Sequence, residues 1–109
     1  MISIGTDIIK TKRVKRLIKD NGDRFLKKIF TSKEITYCTS NSNPSIHFSG
    51  KYAAKEAVKK ALLSKSIVDS ISLKKIEILN NGDKSPYVSV KSLKNVNFNI
   101  SISHEKKYA

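Results

Sequence analysis

The chain has 109 residues, 39% of them hydrophobic and 28% charged, a balance that suits one soluble domain with a single modest core. Its formal net charge of +13 names polyanions as the natural partners: nucleic acid, an acidic membrane surface, a phosphorylated ligand or an acidic protein. The lone cysteine, Cys38, excludes an internal disulfide and a Cys-based zinc site, and no apolar run nears the ~20 residues that cross a bilayer.

Residues 1–8 alternate Ile2, Ile4 and Thr6 against Ser3 and Gly5, then reach Asp7. This reads as a strand ending on an acidic residue. Gly5 within it marks a close approach of another backbone or a ligand. Thr11 is the expected N-cap of a helix to about Asp20, closed by Asn21-Gly22, with Val14, Leu17 and Ile18 as its buried stripe. A short helix follows over 23–30. Thr31-Ser32-Lys33-Glu34 fits a capping box and opens a third helix, in which Cys38 is expected to be half-buried. Residues 39–45, with Asn41, Asn43 and Pro44, form a loop.

The central helix is expected over about 46–64. Ala53, Ala54, Ala57, Val58, Ala61 and Leu62 fall on one stripe at about 100° per residue, small enough to lie close against a sheet. Glu56 falls on the opposite face, near Lys60 one turn later, where a solvated ion pair would be the plain reading. Beyond Ser64 the pattern shortens. Strands are expected around 73–79 and 87–90, joined by the turn Asn80-Asn81-Gly82-Asp83, with a last strand through Phe98, Ile100 and Ile102. Helices first and strands after predict an α+β domain on a mostly antiparallel sheet. The helices are too few to cover both faces of that sheet, which favours an oligomer.

Charge alone does not choose among polyanions. Of the 22 basic residues 19 are Lys, and with 14 Ile and 8 Asn the composition points to AT-rich codons. A small nucleic-acid or ribosome-binding module is the rival reading. Against it stand the lack of an aromatic RNA-stacking motif and the presence of only three Arg. A catalytically dead subunit of a carrier-protein complex is a second rival.

Three stretches decide. Ile4-Gly5-Thr6-Asp7-Ile8 with Arg13, Gly50 to Leu62 centred on Ala53-Ala54-Lys55-Glu56-Ala57, and Ser101-Ile102-Ser103-His104-Glu105 before Tyr108-Ala109 together resemble the holo-acyl-carrier-protein synthase family. These are the small 4′-phosphopantetheinyl transferases. Arg24-Phe25 through Glu34 fits in order and spacing, so the resemblance spans nearly the whole chain, as one domain over 1–109. It implies transfer of phosphopantetheine from coenzyme A to a serine of apo-acyl carrier protein, releasing adenosine 3′,5′-bisphosphate, in cytoplasmic lipid metabolism. It implies Mg²⁺ held by Asp7 and Glu56. It places Lys60 on the diphosphate, Lys51 and Lys55 on nucleotide phosphates, and His104 beside the nucleotide. Glu56 would be the base for the serine, directly or through a metal-bound water. Arg13 and Arg16 would dock the acidic carrier protein. A homotrimer with sites between subunits is implied, with no nucleic-acid or membrane partner.

The pattern is broken in three places. Lys51-Tyr52 stands where the family more often has Arg and a larger aromatic, and a point charge grips phosphate more loosely than a fork. Asp83-Lys84-Ser85-Pro86 lacks the Gly usual before the basic residue and Pro, which puts an adenine-binding role of that loop in doubt. The family continues past Tyr108-Ala109 with another apolar strand, which this sequence does not contain.

Overall fold

The computed structural model describes residues 2–109. Four helices come first: α1 (Thr11–Asn21), α2 (Asp23–Ile29), α3 (Ser32–Thr39) and α4 (Pro44–Ser64). A 3₁₀ turn at Leu73–Lys75 leads into β1 (Glu77–Asn80), which pairs antiparallel with β2 (Pro86–Ser89) in the register Ile78↔Val88 and Leu79↔Tyr87. The architecture is α+β.

Local chemistry sets these boundaries. Lys10, not Thr11, occupies the N-cap of α1, and the buried Thr11 hydroxyl has no hydrogen-bond partner among the described residues. Gly22, at φ +54°, closes α1 and opens α2 in one residue, a conformation open to glycine at little cost. The capping box of α3 forms as expected: Thr31 Oγ1 accepts from the Glu34 backbone and Glu34 Oε1 accepts from Thr31 N–H at 2.9 Å. Pro44 starts α4 two residues before the expected start, in the first turn, where a missing N–H costs nothing.

α4 runs between two halves of the interior. On one side Ile9, Val14, Leu26, Phe30, Cys38, Phe48 and Ala53 pack together, with the Phe30 and Phe48 rings 5.0 Å apart. On the other side are Ala54, Val58, Leu62, Ile71, Ile76, Ile78 and Val90. Cys38 is fully buried rather than half-buried, because it faces the α4 side of α3.

Two expected strands differ. Residues 2–8 and 98–103 form no regular secondary structure, and neither joins a ladder within the described chain. Alternation fixes which side chains share a face, whereas a ladder also needs a backbone partner. The faces of the first segment are the reverse of the usual: Ser3 and Gly5 lie against α4, while Ile2 and Ile4 are 82% and 79% exposed. Close approach explains this. Ser3 Oγ donates to Ala61 O at 2.6 Å, and a Cβ on Gly5 would collide with the Ala57 carbonyl oxygen. Pairing begins only at residue 9, where Ile9 and Ala109 exchange backbone hydrogen bonds at 2.8 and 3.0 Å.

Candidate active site

α4 carries the site, and the segment 2–8 crosses it. Anchored by Ser3 and Gly5, that segment delivers Asp7 to the Lys60 ammonium, which donates to Asp7 Oδ1 at 2.9 Å and to Thr6 O at 3.2 Å. Lys60 is therefore paired with Asp7 and not with Glu56, its neighbour one turn back on the helix. The hydrogen bond and charge of Asp7 raise the proton affinity of Lys60. Glu56 is half-buried and, among the described residues, has no ion pair. Both carboxylates act on the same neighbours. The Tyr52 phenol is pushed up by burial and then by Glu56 and Asp7, with Arg13 opposing.

The fit of a divalent ion can be judged from these donors. Asp7 and Glu56 offer hard oxygens, and among the described residues the group paired with Asp7 is a solvent-accessible ammonium that can move aside. Among the described residues no three His, Cys, Asp or Glu side chains gather. A two-carboxylate site of this kind suits an ion that keeps water and takes substrate oxygens, which is the habit of magnesium.

Beside Asp7 a groove of 390 Å³ runs between residues 5–8 and 99–103 over Gly50, Ala53 and Ala57. Gly50 and Ile102 also wall a second pocket of 260 Å³, which holds Tyr37, His47, Lys51, Lys84, Pro86 and His104. The two spaces meet at Gly50, where a Cβ would come within 3.2 Å of Ile102 Cγ2 and 4.0 Å of His104 Cδ2. The groove thus carries the Asp7 carboxylate, and the pocket it meets at Gly50 carries Lys51 and Lys84.

The sequence model of the 4′-phosphopantetheinyl transferase superfamily matches residues 3–109. A holo-[acyl-carrier-protein] synthase of Thermodesulfovibrio yellowstonii is 43% identical over 106 residues, which is 97% of this chain and 90% of that protein. The chain belongs to the holo-acyl-carrier-protein synthase family. It is a transferase. The Chronobacterium ammoniagenes ACPS–CoA complex shares the fold at a TM-score of 0.81, with 24% identity over 97% of this chain and 90% of that one. The Bacillus anthracis holo-(acyl-carrier-protein) synthase, solved in complex with CoA (3′,5′-ADP), is 27% identical at a TM-score of 0.73 and covers 98% of this chain and 89% of its own.

Against the family's pattern of roles, the structure separates the expected site residues. Asp7 lines the groove and pairs with Lys60, Glu56 acts on Lys60 and Tyr52 from the same helix, and His104 lines the pocket beyond Gly50. Lys51 sits in the pocket wall, 4% exposed, with its ammonium donating to Ile78 O and to Asn80 Oδ1. Burial lowers its proton affinity.

Lys55 requires a correction. Its ammonium is wholly buried, 2.7 Å from Glu34 Oε1, and donates to the carbonyls of Ile76 at 2.8 Å and Leu73 at 3.0 Å. All three donors are committed, so Lys55 has none to offer a nucleotide phosphate. Burial lowers its proton affinity and Glu34 opposes that shift. Its task is structural: with Glu34, which also accepts from Ile78 N–H at 2.8 Å, it ties α3, α4 and β1 together.

Arg13 and Arg16 are both exposed on α1. Arg13 is close enough to oppose the carboxylates at Tyr52, while Arg16 lines a separate groove with Lys12, Lys15 and Lys19 at the start of α4. His47 and Tyr37 join the pocket without having been expected there, and Lys84, in the loop whose adenine-binding role the missing Gly put in doubt, joins them. The signal for His47 lies in the helix spacing, since His47, Gly50 and Lys51 fall at i, i+3 and i+4, on one face. Lys84 takes φ +71°, the conformation for which the family's usual Gly is suited, and so still reaches the pocket.

Proposed function

We propose that this chain transfers 4′-phosphopantetheine from coenzyme A to a serine of apo-acyl carrier protein and releases adenosine 3′,5′-bisphosphate. The observation that carries this reading is the continuous wall from Asp7 and Lys60, past Gly50, to His104. A ligand with a diphosphate and a more distant phosphate monoester matches that spacing of charge. Asp7 and Glu56 are the residues to hold Mg²⁺, which when bound neutralises the diphosphate oxygens and the charge growing on the leaving group. Lys60 exchanges its bond to Asp7 for the diphosphate. Glu56, without an ion pair among the described residues, accepts the proton of the attacking serine hydroxyl as the phosphorus–oxygen bond to the nucleotide breaks. Arg13 and Arg16 receive the acidic carrier protein on α1. A homotrimer in the cytoplasm completes the proposal.

Mass spectrometry of apo-acyl carrier protein after incubation with the protein, coenzyme A and Mg²⁺ tests it, the expected product being the phosphopantetheinylated carrier. Asp7→Ala and Glu56→Ala should each reduce kcat roughly 100-fold or more, as loss of charge stabilisation at a transition state does, with an unchanged circular dichroism spectrum. EDTA should silence the wild type and Mg²⁺ restore it. An unmodified carrier under all these conditions would refute the reading.

A further inference from the structure

The pocket beyond Gly50 has an electrostatic character that the transfer reaction does not require. Four titratable groups face His47 from four parts of the fold: Tyr37 from α3, Lys51 from its own helix, Lys84 from the hairpin turn and His104 from the C-terminal segment. None of the lining residues is acidic. Glu105, next to His104, is turned onto its own backbone, accepting from Lys107 N–H at 2.9 Å. The His47 ring meets the His104 ring edge to face at 5.6 Å and the Tyr37 ring at 5.9 Å, and no hydrogen bond to it is present among the described residues.

We propose that His47 makes binding in this pocket proton-linked: when a phosphate monoester dianion enters, the imidazole takes one proton from solvent and both ring nitrogens become donors. The inference rests on the transferase reading, which supplies coenzyme A as the ligand with such a group. The physical reason is the change in surroundings. In the free protein, burial and the charges of His104, Lys51 and Lys84 hold His47 below its ordinary proton affinity. A dianion among the same groups reverses the sign of the local potential. His47 is half-buried, so the field of the dianion reaches it with little screening by water. A monoester itself ionises a second time near pH 6, so above neutrality it arrives doubly charged. His47 is then a specificity residue, tuning affinity for the monoester to pH.

Calorimetric titration of the full chain with coenzyme A at pH 7.5, in buffers of different ionisation enthalpy, counts the protons. Uptake approaching one per site is expected. The Kd should tighten by up to about tenfold per pH unit between pH 8.5 and 6.5, the limit that uptake of a single proton sets. 3′-Dephospho-coenzyme A should bind with little uptake. His47→Gln should abolish the uptake and flatten the pH profile. The chain has only two histidines, so NMR titration of the imidazole resonances identifies the proton's seat without any substitution. The His47 midpoint should rise when coenzyme A is bound. Binding without uptake, equal uptake with the dephospho ligand, or a midpoint that moves only at His104 would overturn the proton linkage and leave the transferase reading standing. Failure of coenzyme A to bind at any pH would overturn both.

Discussion

Replacing Lys55 by Met removes the ammonium while keeping most of the stem's volume. Glu34 then remains in the interior at 0% exposure, with backbone N–H bonds from Thr31 and Ile78 and no counter-ion. The carbonyls of Leu73 and Ile76 lose their donor as well. Removing one partner of a buried ion pair costs about 3–5 kcal/mol, and the orphaned carbonyls push the value toward the upper end. At about 4 °C per kcal/mol for a domain of this length, Lys55→Met should lower Tm by about 12–20 °C. Circular dichroism melting checks this, and Glu34→Gln with the double substitution should reveal a coupling of about 1–3 kcal/mol. Well below the transition, coenzyme A should bind Lys55→Met with a Kd within about threefold of wild type, since no donor of Lys55 faces the groove. A wild-type Tm combined with a tenfold weaker Kd would refute the reasoning and return Lys55 to the ligand.

Gly5→Ala places a methyl against the Ala57 carbonyl and 2.9 Å from Ala61 N. It should cost about 1–3 kcal/mol in urea denaturation and, by lifting the segment that presents Asp7, reduce carrier modification far more than stability; unchanged turnover would refute this contact. Lys84→Gly relieves the positive φ and should raise stability by about 0.5–1 kcal/mol while weakening coenzyme A a few-fold, read by melting and calorimetry on one sample. The Cys38 thiol is pushed up to about 12 from 9.0, chiefly by burial. Its neutral form is favoured in the fold, so this contribution is complete below pH 9 and is lost as pH rises toward about 12. Ellman's reagent at pH 8 should therefore react only at the rate of opening, and rapid stoichiometric reaction in native buffer would contradict the burial.

The helices were readable because their signals are local. The Thr31–Glu34 capping box, the Gly22 break and the hairpin turn after β1 each reside in a few adjacent residues. The segments 2–8 and 98–103 were read as strands because alternation is also local, whereas a ladder depends on what lies alongside. Family motifs brought Asp7, Glu56 and Lys60 to attention, and geometry then changed the partner of Lys60. Lys55 was misread because only apolar residues were admitted to the buried stripe of α4. Lys51, Lys55, Val58 and Leu62, spaced i, i+4, i+7 and i+11, are all buried, and Glu34 on the neighbouring helix supplies the charge that makes this tolerable. That partnership joins residues far apart in sequence, so no window on the chain displays it.

The same ion pair bears on how long a folded molecule lasts. Glu34 accepts from Ile78 across 44 residues, Lys55 donates to Ile76 across 21, and Thr31 Oγ1 donates to Glu77 across 46 at 2.6 Å. Each bond closes a long loop, and none is satisfied until α3, α4 and β1 have docked. Ordering those loops comes before the reward, which places these contacts late along the folding coordinate. Substitutions at Glu34 or Lys55 should consequently steepen escape from the native state and leave the refolding limb of a chevron nearly in place. The buried pair then acts as a latch whose release sets the native lifetime.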